Sequence, residues 1–434
     1  MIRKNANGHQ AQLFGLDADA LDAAPSPVGF VGNMSRPVHR WFRYSAGFPA
    51  EWVQQVIEDS VQQGDVRVLD PFAGCATTLL AAEGAGVQSF GVEAHPFVYR
   101  IARAKLAWRS DADAYRAKAA EIMEIAASLQ PDIEGYPPLI RNCYGTSALQ
   151  KLDVLRQAYE TTRDDSPASD LVWLTLMAIL RRVSPVGTAQ WQYVLPKKQK
   201  RSPQEVLRAF RECSAMIHAD MKLGEKIAGP RSVLFHADAR KCGDISPRSI
   251  NLVITSPPYP NNFDYADATR LEMSFMGEVN RWADLQDAVR RHLVVSCSQH
   301  VNERAVNLDQ VLSAPELEPI RSELAIVCHQ LAEIRTSRSG RKNYHLMIAC
   351  YFRDMALVWN ALRRVCASPS RLCFVIGDSA PYGIYVPVVP WLAALALNAG
   401  FGSHSFEKLR ERNVKWKNRK HRVPLLEGML WVNG

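Results

Sequence analysis

One stretch of the chain reads Ile250-Asn251-Leu252-Val253-Ile254-Thr255-Ser256-Pro257-Pro258-Tyr259. Its first half is a short apolar run of the kind that forms a buried strand. Its second half is rigid, because two prolines fix φ and lack backbone N–H groups. A buried strand that runs into such a loop is typical of an α/β sheet whose ligands bind at the carboxyl ends of the strands.

The loop Ser256–Tyr259 presents hydrogen-bond acceptors beside an aromatic ring. The proline carbonyls and the neighbouring hydroxyls are held outward, and Tyr259 offers a surface for stacking. This arrangement suits a planar group that carries an exocyclic amine. The alternative is a surface turn or a partner-binding ligand, which would lie in a polar, proline-rich tract instead of after a buried strand.

Composition excludes several classes of protein. The chain has 434 residues, 47% of them hydrophobic and 22% charged, which are ordinary values for a globular protein. Its net charge of +8 is compatible with a polyanionic partner. The nine cysteines form no Cys-x-x-Cys pair, which indicates reduced thiols and no metal site. No apolar stretch approaches the roughly eighteen residues of a membrane span, and the start lacks a signal peptide, so we expect a cytoplasmic protein without a membrane partner.

Further apolar runs predict the rest of a doubly wound, mostly parallel α/β sheet. Helical patterns cover Pro49–Gln63, Leu79–Gly84 and Phe97–Trp108 between them. The predicted strands are Arg67–Leu69, Ser89–Val92, Val233–Phe235, Leu252–Ile254, Arg371–Asp378 and, as a last edge strand, Glu427–Val432.

The region between about 110 and 230 lacks this alternation and is predicted to be a helical insertion. Its helical patterns are Ala114–Leu129, Leu149–Thr161, Asp170–Arg182 and Pro203–Met221. It also contains a basic run with aromatic residues beside it, from Gln190 to Arg201.

Three acidic residues are predicted at strand ends. Asp70 begins a turn with Gly74 in which the backbone can approach a ligand closely. Glu93 ends the next strand, where a carboxylate can accept hydrogen bonds from a ribose diol. Asp238 ends a third strand, where it can accept from an adenine amine. A nucleotide site is therefore indicated, although Glu93 and Asp238 could each also be ordinary solvated acids.

Together these residues carry a resemblance to a known family. Val68–Thr78 resembles the S-adenosylmethionine-binding motif of the DNA amino-methyltransferases, usually Asp-Pro-Phe-x-Gly-Ser-Gly-Thr-Thr. Thr255–Tyr259 resembles their catalytic motif in the Ser-Pro-Pro-Tyr form typical of N4-cytosine enzymes, and Trp41–Tyr44 resembles the N-terminal motif that closes over the cofactor. The similarity covers about 28–108 and 231–434 and skips the insertion.

The resemblance implies a class I S-adenosylmethionine-dependent methyltransferase fold and assigns roles to regions and residues. The regions are a mobile N-terminal arm (1–27), a cofactor-binding half (28–109), a helical insertion that is a candidate DNA-contact region (110–230) and a catalytic half (231–434). The implied catalytic residues are Ser256, Pro257, Pro258 and Tyr259. The implied cofactor-binding residues are Tyr44, Asp70, Phe72, Ala73, Gly74, Thr77, Thr78, Glu93, Asp238 and Thr255.

The implied reaction is transfer of a methyl group from S-adenosylmethionine to the N4 amine of cytosine in double-stranded DNA, within restriction-modification or host defence. The cytosine amine is a poor nucleophile, because its lone pair is delocalised into the ring. Acceptors from Ser256 and Pro257 can localise that pair while Tyr259 stacks on the flipped base. Neither a metal nor a cysteine nucleophile is needed. A companion restriction endonuclease is a further implied partner.

Two basic runs are candidate contacts to DNA phosphates. The alternative for both is that the charges lie in solvated loops and that the aromatic residues belong to the core. The candidate DNA-binding residues are Trp191, Tyr193, Lys197, Lys198, Lys200, Arg201, Arg338, Arg341 and Lys342.

The chain departs from the family pattern at Cys75 and Ala76, where serine and glycine are usual. The expected effect on cofactor binding is small if Ala76 keeps a negative φ. Three other functions stay open: an N6-adenine DNA methyltransferase, an RNA guanine amino-methyltransferase, and a DNA-binding subunit without catalytic activity. Serine instead of aspartate at 256 favours cytosine, and the intact Ser256–Tyr259 loop argues against an inactive subunit.

Overall fold

The structure, a computed structural model, describes residues 31–44, 47–188, 194–199, 202–338, 342–412 and 424–434. The predicted arm at 1–27 lies outside these residues. The strands are β1 Arg67–Asp70, β2 Gln88–Val92, β3 Val186–Thr188, β4 Val194–Gln199, β5 Val233–Phe235, β6 Ile250–Thr255, β7 Cys366–Gly377, β8 Ser403–Arg412 and β9 Leu425–Asn433.

The described residues also form helices between these strands. They are α1 Ala50–Val61, α2 Thr77–Gly84, α3 Pro96–Leu106, α4 Ala112–Ser128, α5 Pro138–Cys143, α6 Thr146–Thr162, α7 Pro167–Val183, α8 Val206–Gly224, α9 Tyr265–Ala268, α10 Arg270–Phe275, α11 Leu285–Ala288, α12 Leu308–Leu312, α13 Arg321–Thr336, α14 Tyr344–Val365 and α15 Val388–Asn398.

Seven strands form one sheet in the order β5-β2-β1-β6-β7-β9-β8. The first five run parallel to one another, and β9 pairs antiparallel with both β7 and β8. The order reverses between β1 and β6, which places a crevice at their carboxyl ends. The predicted fold class, a doubly wound and mostly parallel sheet of the methyltransferase type, is confirmed.

The alternation of side chains along the strands explains why helices cover both faces of the sheet. Leu69 and Val253 point to one face and pack in a cluster that includes residues of α13, α14 and α15. Val68 and Leu252 point to the other face and pack with residues of α1 and α2. Burial on both faces accounts for the near-continuous apolar runs in the sequence.

The end of the sheet differs from the prediction. The strand expected at Glu427–Val432 forms as β9, but it lies between β7 and β8 and is not an edge. The edge strand is β8, which the sequence pattern did not predict. Most residues of β8 are exposed, so it lacks the apolar signal that marks the inner strands.

The region between β2 and β5 contains helices α4 to α8, which include the four predicted ones. It also contains an antiparallel hairpin of β3 and β4, which the prediction of a mainly helical insertion did not include. The hairpin was missed because β4 carries proline and lysine residues instead of an apolar run. The helices of this region share an apolar cluster with α2 and α3 and are therefore packed onto the sheet domain.

Candidate active site

A cavity of about 410 Å³ lies at the carboxyl ends of the central strands. It brings together most of the site residues expected from sequence. The expected residues that line it are Tyr44, Asp70, Phe72, Ala73, Gly74, Thr77, Glu93, Asp238, Ser256, Pro257, Pro258 and Tyr259. Thr78 and Thr255 do not line it, but both hydroxyl groups donate to Asp70.

The turn after β1 brings backbone close to the cavity. Gly74 has φ +51°, and Ala76 has φ +70° in the left-handed region just before α2 begins at Thr77. Ala76 thus does not keep the negative φ on which the sequence-based expectation depended. It keeps the backbone shape that glycine would favour, at a cost of about 1–2 kcal/mol.

Asp70 ties this turn to the strand that precedes the proline loop. Its carboxylate accepts from the Thr78 hydroxyl at 2.7 Å, the Thr255 hydroxyl at 2.7 Å and the Phe72 N–H at 3.0 Å. Burial raises the pKa of Asp70 to about 6, although these three hydrogen bonds oppose the shift. The buried carboxylate of Asp70 therefore connects the end of β1 to the end of β6, and it also forms part of the cavity wall.

Glu93 organises the neighbouring strand end. One carboxylate oxygen accepts from the Gly74 N–H at 2.8 Å, and the other accepts from the His95 N–H at 2.7 Å. Burial raises the pKa of Glu93 to about 7, against the effect of these two donors. The carboxylate is thus held in place at the cavity wall by backbone groups of the turns after β1 and β2.

Asp238 lines the cavity, but its carboxylate is also held by a cation that sequence reasoning missed. Arg240 donates through Nε to both oxygens at 2.9 Å, and its Nη2 lies 2.7 Å from Oδ2. Arg240 also reaches the buried Asp354 of α14, at 3.1 Å. The close spacing Asp238-x-Arg240 was a local sequence signal for this pair.

The segment resembling an N-terminal closing motif is anchored to α8. Asp220 accepts from the Trp41 indole at 2.8 Å, from Arg40 at 2.6 Å and from the Val38 N–H at 3.2 Å. Tyr44 follows this anchor and lines the cavity opposite Gly74. Burial raises the pKa of the Tyr44 phenol well above its usual value, so it stays neutral.

The proline loop forms the other wall of the cavity. The Ser256 hydroxyl donates to the backbone carbonyl of Val375 in β7, at 3.1 Å. That contact uses the hydroxyl hydrogen and leaves oxygen lone pairs as acceptors. Beside it, the partly buried Tyr259 ring lies beneath the Arg412 guanidinium, whose central carbon is 5.0 Å from the ring centroid.

Several cavity residues had not been singled out from sequence. They include His95, Asn261, Arg410, Arg412 and Glu427. The arginines belong to the polar edge strand, and Glu427 lies in β9 beside it, so their position depends on a pairing that sequence did not predict. Residues 407–412 carry charges of both signs, but this composition does not predict a strand.

The candidate DNA-binding residues are not brought to this cavity. Trp191, Tyr193, Lys200, Arg201 and Arg341 lie outside the described residues. Lys197 and Lys198 lie on β4, with side chains that are not described. Arg338 is partly buried after α13, and Lys342 is exposed before α14. Their role stays a prediction.

The described ranges lack two kinds of feature. They contain no group of three or more His, Cys, Asp or Glu side chains arranged to hold a metal ion. Within the same ranges, no helix is long and apolar enough to cross a membrane.

Comparison with known proteins gives a consistent result. The profile of a family described as DNA methylase (N6_N4_Mtase) matches residues 27–104. The type II methyltransferase M.AvaI, from Nostoc sp. and from Anabaena variabilis, is 25% identical over 409 residues, which cover 86% of this chain and 81% of the relative. The type II methyltransferase M.BsoBI of Geobacillus stearothermophilus is 22% identical over 426 residues, covering 89% and 82%. No solved structure gives a significant match.

The matched segment at 27–104 contains Tyr44, the turn after β1 and Glu93, and the relatives align along most of the chain. S-adenosylmethionine is the methyl donor that this family implies. The sheet order, the strand-end loops and these relatives agree that the chain resembles the DNA amino-methyltransferases, and they support DNA methyltransferase activity.

Proposed function

We propose that the protein transfers a methyl group from S-adenosylmethionine to the N4 amine of cytosine in double-stranded DNA. The observation that carries this assignment is the hydrogen bond from the Ser256 hydroxyl to the Val375 carbonyl. Because this bond uses the hydroxyl hydrogen, the Ser256 oxygen is left as an uncharged hydrogen-bond acceptor beside Tyr259. Both residues line the cavity that the cofactor motif also lines.

The residues present fit S-adenosylmethionine. Glu93 offers carboxylate oxygens for ribose hydroxyls, and Asp238 offers oxygens for an adenine amine, at adjacent strand ends. Phe72, Leu293 and Val294 supply apolar wall in the same cavity. The cofactor supplies an activated methyl group, so the protein needs to provide position more than acid or base strength.

The Ser256 hydroxyl oxygen and the Pro257 carbonyl accept hydrogen bonds from the amine of a flipped base. These bonds draw the lone pair of the amine nitrogen out of conjugation with the ring. Tyr259 stacks on the base. The hydrogen bond from the Thr255 hydroxyl to Asp70 fixes this loop relative to the turn after β1. It thereby fixes the position of the amine relative to the methyl donor. As the amine is alkylated its surplus proton passes to solvent, which requires no strongly basic side chain.

Methyl transfer to duplex DNA by the 434-residue protein tests the assignment. DNA incubated with the protein and deuterium-labelled S-adenosylmethionine is digested to nucleosides and analysed by mass spectrometry. We expect labelled N4-methylcytosine. Labelled N6-methyladenine alone would show that the target is adenine instead of cytosine. A labelled methylguanosine from a parallel incubation with RNA would show that the substrate is RNA.

The basic residues proposed to contact phosphates are Lys197, Lys198, Lys200 and Arg201 in one run and Arg338, Arg341 and Lys342 in the other. Trp191 and Tyr193 are proposed to stack in the opened duplex. The net charge of +8 supports a polyanionic substrate.

A further inference from the structure

Arg412 ends the edge strand β8 at the wall of the cavity, beside the proline loop. Its guanidinium carbon lies 5.0 Å from the centroid of the Tyr259 ring. Nη1 donates to the backbone carbonyl of Asp378 at 3.0 Å, and Nε lies 3.5 Å from a carboxylate oxygen of Glu427. Contacts on three sides therefore set the orientation of this planar cation.

The sheet leaves room for this cation. A Cβ atom on Gly377, the last residue of β7, would lie 2.9 Å from Arg412 Nη1 and 3.2 Å from the carbonyl oxygen of Leu426. Any larger residue at 377 would force the side chain of Arg412 to shift from this position. The arginine is thus seated in the end of the sheet instead of projecting into solvent, with its side chain 14% exposed.

We propose that Arg412 is a specificity-determining residue, which selects cytosine over adenine by donating hydrogen bonds to ring atom N3 and carbonyl oxygen O2 of the flipped base. This inference rests on the proposed function. A base that stacks on Tyr259 with its amine at Ser256 enters the cavity that Arg412 lines. We place the edge next to the amine toward the guanidinium, because Arg412 lies beside the ring on which the base stacks.

The chemistry of the two bases separates them at this edge. Beside its amine, cytosine carries two neighbouring acceptors, N3 and O2. Beside its amine, adenine carries one acceptor, N1, followed by a C–H group. A guanidinium presents two parallel N–H groups that match two neighbouring acceptors. The ammonium group of lysine is a compact charge whose N–H groups do not form such a planar pair.

Arg410 provides a matched control on the same strand. It also lines the cavity and also binds Glu427, with N–O distances of 3.0–3.1 Å. It differs in being 50% exposed and in making no cation–π contact with Tyr259 within the described residues. Any effect that comes only from disturbing Glu427 should therefore appear when Arg410 is replaced as well as when Arg412 is replaced.

The experiment measures single-turnover methyl transfer to duplexes that carry either cytosine or 3-deazacytosine at the target position, the recognised sequence being mapped beforehand. The proteins are the wild type, Arg412→Lys, Arg412→Ala and Arg410→Lys. In 3-deazacytosine a C–H group replaces N3. We expect this change to slow the wild type and Arg410→Lys by about 10- to 100-fold, within the range for loss of a bidentate contact to a base. In both Arg412 variants the same change should slow transfer less than about threefold.

The ratio between the two substrates is internal to each protein, so partial loss of folded protein cancels. An Arg412→Lys ratio equal to that of the wild type overturns the inference. If the wild type methylates cytosine N4 and only this ratio fails, the proposed function stands without Arg412. If the wild type yields N6-methyladenine instead, the proposed function and this inference both fail.

Discussion

The two walls of the cavity are built from one sheet but present opposite chemistry. We call the turn 70–78 together with Glu93 the cofactor wall, and the loop 256–259 together with Arg412 the base wall, after their proposed ligands. The cofactor wall contains two carboxylates, the buried Asp70 and the partly buried Glu93, each held by two or more donors. The base wall presents a neutral hydroxyl, an aromatic ring and a cation.

The two walls also differ in how they respond to pH. Burial raises the pKa of Asp70 to about 6 and of Glu93 to about 7, so the cofactor wall titrates near neutral pH. Because both values lie above those of the unfolded chain, the contribution of these groups to folding is lost as pH rises through about 6 to 7. The proposed acceptors of the base wall carry no titrating charge in that range.

The largest expected effect comes from the base wall. Ser256→Ala removes one preorganised acceptor, which should raise the barrier to methyl transfer by about 2–4 kcal/mol. Cofactor affinity should change less than about twofold, because Ser256 belongs to the opposite wall. Single-turnover kinetics and titration calorimetry measure the two quantities. Ser379→Ala is the control, since its hydroxyl donates to the Pro260 carbonyl beside the loop, and a near-wild-type rate in Ser256→Ala would remove the assignment.

The cofactor wall should give the reverse pattern. Glu93→Ala removes a proposed acceptor of the ribose hydroxyls and should weaken S-adenosylmethionine binding by about 1.5–3 kcal/mol. Calorimetry gives the affinity, and Glu303→Ala, at an exposed carboxylate paired with Arg335, serves as control. An unchanged affinity would place Glu93 among residues that only shape the turn.

The pH dependence of binding sharpens the same contrast. Ribose hydroxyls donate best to the ionised carboxylate, and Glu93 has a pKa of about 7. Affinity should therefore fall as pH decreases through about 7, by up to about tenfold per pH unit, and should be level above it. Glu93→Gln should lose most of this dependence. A dependence that persists in Glu93→Gln would assign the titration to another group, with Asp70 the first candidate.

The smallest effect is expected outside both walls. Replacing Lys197, Lys198, Lys200 and Arg201 with alanine should weaken DNA binding similarly for all sequences. It should also flatten the dependence of log affinity on log salt by roughly one unit for each side chain that no longer reaches a phosphate. Binding isotherms at several salt concentrations decide this. An unchanged slope would show that these four side chains do not contact phosphates. The phosphate contacts would then be assigned to Arg338, Arg341 and Lys342.

Sequence predicted the cofactor wall and the proline loop because their signals are local. An apolar run followed by Asp-Pro or by Ser-Pro-Pro marks a strand end wherever it occurs in the chain. Arg412 could not be predicted as a site residue, because its position depends on Tyr259, which follows the distant strand β6. The pair of Arg240 with Asp238 had a local signal, whereas the contact of Arg240 with Asp354 of α14 had none. The polar strand β8 gave no apolar pattern, and without it the position of Arg412 was hidden.

The base wall is the central claim, and methylation of host DNA tests it most directly. Genomic DNA from cells that express the wild type or Ser256→Ala, at equal protein levels, is sequenced by a method that distinguishes N4-methylcytosine from N6-methyladenine. We predict N4-methylcytosine in one sequence context with the wild type and its near-complete loss with Ser256→Ala. N6-methyladenine with the wild type, or an unchanged N4-methylcytosine pattern with Ser256→Ala, would contradict the account.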